Sequence, residues 1–371
     1  MRTSAAAAAD TALDLPRDPR AVQGGDLTHL PDGAITLNLS LCTNRLGPPP
    51  AAVEALRTFL EHHPDRLMPP PYESERPPYR AERRYLQAVA HQLGVDVDDT
   101  LAGRGVTELT TSLARLLSRS SVAVITPEYT ETMRRFAYAD FLGPDSGTRD
   151  TAEHRATRLH AAMRTHQYVV LSNPSNPLGH YIPREQLLQA CADNPQSILV
   201  LDEEYIAFQG QSLSLAGAPV SNLIVLGSTG KTYGITGTRA GYLWTRHARL
   251  NQAVKEQIPT WPLSLLDITL ATAALEDRTW LPEKLLHIQL DARRLQGLLT
   301  EYFGNAVVPA DIHYRFVFLD DPYPVQEHLQ THGISARLFT SQDRGSVSGL
   351  RLMTPSTEAE FTQLHHALHT L

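Results

Sequence analysis

Four short runs of almost wholly apolar residues, at 122–126, 168–171, 198–201 and 223–226, recur in this 371-residue chain. Helical periodicity fills much of the space between them, near 106–118, 130–139 and 184–192. A strand that is apolar at every position has to be covered on both faces. Strands alternating with helices achieve this by lying parallel in one sheet between two helical layers. Ligands gather beyond the carboxyl ends of such strands. The segments that follow the four runs are therefore where chemistry is expected.

The flanks read differently. Pro48-Pro49-Pro50 opens a helix where proline is tolerated, and Val53, Leu56 and Leu60 follow at helical spacing. A proline-rich loop at 64–78 carries Tyr72, with Tyr79 at its end, and helical periodicity returns over 81–93. Beyond Trp261 a long amphipathic stretch at 265–303 precedes a strand-like 315–319, a helical 325–332 and a strand-like 349–353. The expected organisation is an amino-terminal arm (1–45), a large domain (46–264) and a smaller α+β domain (265–371), with no internal repeat. The first 25 residues hold an alanine run but are too polar for a signal peptide, so a loose arm is expected.

Charge narrows the partners. The net charge is −7, with no basic block or stripe, which argues against nucleic acid. No apolar run approaches the roughly 18 residues of a membrane span. Cys42 and Cys191 lie far apart without metal-like spacing, so they read as small core residues in a reducing, cytoplasmic setting. No metal is expected.

Lysine is the rarest basic residue: of 33 lysines and arginines, only Lys231, Lys255 and Lys284 are lysine. Arginine would serve wherever positive charge alone is needed. A Schiff base needs a primary amine that can lose its proton. Lys255 and Lys284 sit in solvated helical patterns. Lys231 sits in Gly227-Ser228-Thr229-Gly230-Lys231-Thr232-Tyr233-Gly234, followed by Thr238-Arg239-Ala240-Gly241-Tyr242.

Three other fragments precede it at strand ends: Gly103-Arg104-Gly105-Val106-Thr107-Glu108, Ser172-Asn173-Pro174-Ser175-Asn176-Pro177, and Leu201-Asp202-Glu203-Glu204-Tyr205. Each alone is a common turn. In this order, they closely resemble the fold type I pyridoxal-phosphate enzymes, the class I/II aminotransferases, and within them the histidinol-phosphate aminotransferase branch. The resemblance runs from about Asn44 to Thr354 and is tightest between Gly103 and Gly241. It implies an α/β fold with a mainly parallel seven-stranded sheet sandwiched by helices, plus a smaller α+β carboxyl-terminal domain. It also implies pyridoxal 5′-phosphate as cofactor, a homodimer, and an L-amino acid and a 2-oxo acid as substrates.

By the same resemblance, Lys231 holds the cofactor as an internal aldimine and then moves the substrate proton. Asp202 faces the pyridine nitrogen, Asn176 and Tyr205 bond the ring oxygen, and Tyr129 stacks on the ring. Arg239, Ser228 and the helix start at Gly105, Val106 and Thr107 hold the phosphate. Gly230 departs from the serine often found before the lysine, removing one phosphate ligand. Arg351 forks onto the substrate carboxylate, Asn44 belongs to the amino-terminal segment lining the same pocket, and Arg337 matches a side-chain-binding arginine. A partner subunit's tyrosine is expected at the phosphate, with Tyr72 preferred over Tyr79.

Two rival readings stand beside transamination. One keeps the scaffold and changes the reaction to decarboxylation, cyclisation or elimination. The other is a non-catalytic regulator that senses the cofactor, which the short acidic arm disfavours because it leaves no room for a DNA-binding motif. Arginine-rich, lysine-poor usage and the divergent proline-rich loop point to a specialised pathway. Aminotransferases that handle arginine-derived amino acids, such as enduracididine, look similar in this respect.

Overall fold

The computed structural model describes residues 27, 30–67, 80–145, 148–340 and 345–371. The segment up to Gly25, Tyr72 and Tyr79 lie outside the described residues. In chain order, β1 (Leu37–Asn38), α1 (Pro50–His62) and α2 (Arg80–Leu93) lead into β2 (Thr100–Arg104) and α3 (Gly105–Leu116). Then come β3 (Val122–Ile125), α4 (Thr130–Arg135), β4 (Asp140–Leu142), α5 (Ala152–Thr165), β5 (Tyr168–Ser172) and α6 (Arg184–Asp193). The strands β6 (Ile198–Asp202), β7 (Leu223–Ser228) and β8 (Ala240–Trp244) complete the large sheet. The remainder is α7 (Ala248–Gln257), α8 (Leu265–Glu276), α9 (Trp280–Phe303), β9 (Tyr314–Phe318), α10 (Tyr323–Thr331), β10 (Ile334–Ser335), β11 (Arg337–Phe339), β12 (Gly349–Met353) and α11 (Glu358–His369).

The seven strands run in the order β2-β8-β7-β6-β5-β3-β4. Strands β3 to β7 are mutually parallel, and β8 is antiparallel to both of its neighbours. Strand β2 therefore points the same way as the parallel set. The expected α/β architecture is present, with one strand reversed.

Alternate residues of each apolar strand feed two cores, as the period of two requires. Val124, Val170, Val200 and Ile224 pack under Leu109 and Leu113 of α3 and Val254 of α7. Ile125, Leu171, Leu201 and Val225 pack against Leu159 and Met163 of α5 and Leu187 of α6. Each such leucine contributes roughly 1.5–3 kcal/mol when fully buried. The sheet is held from both sides.

The second sheet, β11-β12-β9, is antiparallel. Its inner face packs Val317, Leu350 and Leu352 against Leu295 and Leu299 of α9 and Phe361 and Leu364 of α11. The amino-terminal segment joins this region, because β1 pairs in parallel with β10. Helix α8 packs instead on α1 and α2.

Several boundaries differ from the sequence reading. The amphipathic stretch at 265–303 is two helices, not one. The break falls at Asp277, whose carboxylate accepts the Thr279 N–H at 3.2 Å, the Thr279 hydroxyl at 3.0 Å and the Trp280 N–H at 3.1 Å. The helix expected over 130–139 ends at Arg135, and Phe136 turns into the core. Strands β2, β4 and β8 and helix α5 were not anticipated.

Candidate active site

The topology brings five carboxyl ends to one edge of the large sheet. Gly105 follows β2, Tyr129 follows β3, Ser172 ends β5, Asp202 ends β6 and Ser228 ends β7. Ser172 and Asp202 are paired across β5 and β6, and Ser228 is opposite Gly241 on β8. A cavity of about 530 Å³ opens there, roofed by Arg337, Phe339 and Arg351 of the small sheet. Its size suits a small molecule, for which sites span about 300–1,000 Å³. Lys231, Asp202, Tyr205, Gly105, Val106, Thr107, Tyr129, Asn176, Ser228, Arg239, Arg337 and Arg351 all line it.

Lys231 stands on the turn after β7. That turn is anchored by its own carbonyl, which accepts the Asn44 N–H at 2.8 Å. Burial holds the amine below its ordinary range, with the Glu204 charge opposing. A neutral amine is the form that attacks a carbonyl or takes a proton. Asp202 accepts the Glu204 N–H at 2.9 Å. Burial, then the Glu204 and Glu128 charges, raise its carboxyl well above the usual range. A protonated ring nitrogen beside it would relieve that cost.

Tyr205 is buried against Tyr314, with ring centroids 5.5 Å apart at 77°, and against His313 at 5.3 Å. Tyr129 stands before α4 on a loop pinned by Glu128. That buried carboxylate accepts the Tyr129 N–H at 2.7 Å and the Ser172 N–H and hydroxyl at 2.6 and 2.7 Å. Glu128 in turn lies 3.7 Å from the fully buried Arg155 guanidinium. The aromatic wall is thereby tied to the end of β5.

At the other end the backbone itself forms a cradle. Gly105 begins α3 with φ of +69°, and a Cβ there would lie 2.8 Å from Arg239 Nη2. A Cβ on Gly241 would lie 2.6 Å from the Gly105 Cα, a contact with backbone that no side-chain motion relieves. The exposed Arg239 thus lies over the free N–H groups of a helix start. A helix amino terminus with an arginine fork suits a phosphate.

The roof is cationic. Arg337 and Arg351 are cross-strand neighbours on β11 and β12. The buried Arg351 donates to Asn176 Oδ1 at 2.5 Å and to the Ser40 carbonyl at 3.0 Å. The amino-terminal segment meets the cavity through Ser40, Leu41 and Cys42. Asn44 is not among the lining residues. Its carboxamide donates to the Thr232 carbonyl at 2.9 Å and accepts the Leu46 N–H at 2.9 Å. Both cysteines are buried and free, and Cys42 borders the cavity.

Sequence reasoning passed over Glu204, Glu128, Glu131 and Cys42. Glu204 accepts the Ser228 hydroxyl at 2.6 Å on the cavity floor. It stands within Asp202-Glu203-Glu204-Tyr205, where the resemblance assigns roles only to Asp202 and Tyr205. Glu131 lines the rim beside Arg134 and Arg135, at 3.5 and 2.5 Å.

A lysine held toward its neutral form, a carboxylate facing it across a small-molecule cavity, and an arginine over a glycine-built helix start fit pyridoxal 5′-phosphate. This combination defines a lysine-dependent pyridoxal-phosphate enzyme of the α/β class. Residues 34–358 match the aminotransferase class I and II family, and the chain belongs to it. It is 24% identical over 309 residues to a histidinol-phosphate aminotransferase of Acinetobacter baumannii, covering 82% of each chain. The histidinol-phosphate aminotransferase from Clostridium acetobutylicum superposes with a TM-score of 0.75 at 19% identity, over 90% of this chain and 98% of that one. The Sinorhizobium meliloti histidinol-phosphate aminotransferase, solved in complex with pyridoxal 5′-phosphate, gives 0.72 at 21% identity, over 91% and 92%. The protein is an aminotransferase dependent on pyridoxal 5′-phosphate.

Proposed function

We propose that the cavity moves an amino group between an L-amino acid and a 2-oxo acid, with Lys231 as the working base. The observation that carries this reading is the placement of Lys231, Asp202 and Arg351 around one cavity. Lys231 would hold the cofactor through its amine and, once free, would take the proton from the donor Cα. The cofactor supplies an electron sink for the pair left behind. Asp202 would keep the ring nitrogen protonated, Tyr129 would cover the ring, and Asn176 and Tyr205 would position the ring oxygen. Gly105, Val106, Thr107, Ser228 and Arg239 would hold the phosphate.

Arg351 binds the substrate carboxylate through its fork and holds the Cα–carboxylate bond away from the breaking geometry, which favours loss of the Cα proton. Arg337 beside it places a second cation near the substrate's far end, suited to an anionic group. Two like charges opposed across strands are unfavourable by themselves, and an anionic substrate offsets that repulsion. Asn44 serves the site indirectly, by fixing the Lys231 turn through its backbone.

The enzyme acts as a homodimer in the cytoplasm. Leu41 at the cavity, Val53 and Leu60 on α1 and Leu67 in the turn beyond it are exposed, an apolar set that a second copy would cover. A tyrosine of that copy, Tyr72 in preference to Tyr79, would reach the phosphate; both lie outside the described residues. Among the described residues no helix is long and apolar enough to cross a membrane.

A panel of L-amino acids added to the loaded enzyme tests the reaction type. A good donor should bleach the resting absorbance and release an equal amount of 2-oxo acid, and a 2-oxo acid should restore the band. Release of carbon dioxide or ammonia instead would favour a decarboxylase, cyclase or lyase.

A further inference from the structure

Glu204 is a carboxylic acid at the end of the cavity assigned to the cofactor's phosphate, and no step above uses it. Its Oε1 accepts the Ser228 hydroxyl at 2.6 Å. Its Oε2 is buried and has no hydrogen-bond partner among the described residues. The Ser228 oxygen in turn accepts the Gly230 N–H at 3.2 Å. A hydroxyl has one proton to donate and two lone pairs. In this arrangement the Ser228 proton goes to Glu204 and is not available to a phosphate. Gly230 carries no side chain that could offer a second hydroxyl.

For Ser228 to donate to a phosphate, the direction of its bonds has to reverse. Glu204 must become the donor, the Ser228 oxygen must accept from it, and the Ser228 hydroxyl must turn to the ligand. A carboxylate cannot donate, whereas a carboxylic acid can. Leaving both groups ionised would set like charges together away from bulk water, which raises the pKa of one of them. We propose that Glu204 takes up one proton from solvent when the cofactor's phosphate docks, and that Ser228 then relays its hydrogen bond to the phosphate. This rests on the reading that the cavity holds pyridoxal phosphate. No covalent bond is made or broken in the step.

The surroundings set the sign. Burial raises the Glu204 carboxyl above its ordinary range and outweighs Ser228, Lys231 and Arg239, which pull it down. Asp202, at the end of the same strand, adds a like charge whose own carboxyl Glu204 helps to raise. Glu203 turns away to the Ser214 hydroxyl and the Leu215 N–H. Tyr85 of α2, Tyr242 of β8, Tyr129 and Tyr205 also face this charge, and all are held above the ordinary tyrosine range, hence neutral. Phosphate raises the Glu204 pKa further. Affinity is therefore full below the value in the free protein and is lost as pH rises through the phosphate-bound value.

Pyridoxine 5′-phosphate is the probe, because it carries the phosphate but no aldehyde to react with Lys231. Calorimetric titration of the cofactor-free protein in two buffers of different ionisation heat counts the protons taken up. At pH about 8 the phosphate ester, with a second pKa near 6, is already a dianion. At its maximum across the pH profile, proton uptake by wild type should exceed that of Glu204→Gln or Glu204→Ala by about one, and in that window its Kd should rise about tenfold per pH unit relative to theirs. Equal proton counts and parallel pH profiles in all three proteins would overturn the role of Glu204 while leaving the cofactor reading intact. Failure of wild type to bind the probe at all would overturn the cofactor reading, and this inference with it.

Discussion

At the cofactor end of the cavity, Gly105, Asp202, Ser228, Lys231 and Arg239 all stand within a few residues of strand ends in a single sheet. At the substrate end, Arg351 reaches Asn176 across 175 residues and Ser40 across 311. The first end is fixed by hydrogen-bonded register, since shifting one strand would break the Ser172–Asp202 and Ser228–Gly241 pairings. The second depends on how the small sheet and the amino-terminal segment seat on the large sheet. In the proposed reading, the end held by register takes the cofactor and the end held by long-range packing takes the substrate, joined through the Arg351 bond to Asn176.

The largest expected effect falls at the cofactor end. Lys231→Ala should abolish turnover, with loss of proton transfer alone worth on the order of 10²–10⁴, while cofactor binding survives. Single-turnover kinetics on the loaded variant checks this, and a variant that still cycles would remove the difference between the two ends. Asp202→Asn should follow, since one partner of a buried charge pair is worth about 3–5 kcal/mol. Without the cofactor, where the pair does not exist, its thermal unfolding should stay close to that of wild type, while kcat of the loaded enzyme collapses.

At the substrate end the effect should be smaller and of a different kind. Arg351→Lys keeps the charge and loses the fork, raising the donor KM by about 1.5–3 kcal/mol of lost charge-assisted bonding. Cofactor affinity should move far less than the donor KM, any change passing through the Arg351 bond to Asn176. If the variant bound the cofactor poorly, the two ends would not be separable. The smallest effect is expected away from both: Lys255→Arg and Lys284→Arg should leave activity unchanged and stability within about 0.5 kcal/mol.

The same division explains what could be read from the chain. Apolar runs such as residues 198–201 announce buried parallel strands, and the polar motifs after them mark the cofactor end, because both signals are local. Strands β2 and β8 escaped because Ala102-Gly103 and Ala240-Gly241 have little strand preference. Gly241 is needed for its approach to Gly105 and Gly103 leaves room for Leu109, both tertiary requirements. The break in the 265–303 stretch turns on Asp277 capping its own chain, in a pattern that otherwise continues as helix. Glu204 was passed over because nothing local distinguishes an acid turned into a cavity from one turned to water. Asn44 was placed in the right segment, but its side chain holds backbone, and the lining comes from Ser40, Leu41 and Cys42. Arg351 was legible from the resemblance alone, whereas its bonds to Asn176 and Ser40 required the fold.

The whole account depends on which amine carries the cofactor. Borohydride reduction of the loaded enzyme, followed by proteolysis and peptide mass mapping, reads this directly. A single pyridoxyl group on the peptide containing Lys231 is the expected result. Label on Lys255 or Lys284, or no label on a protein that still turns over, would contradict it.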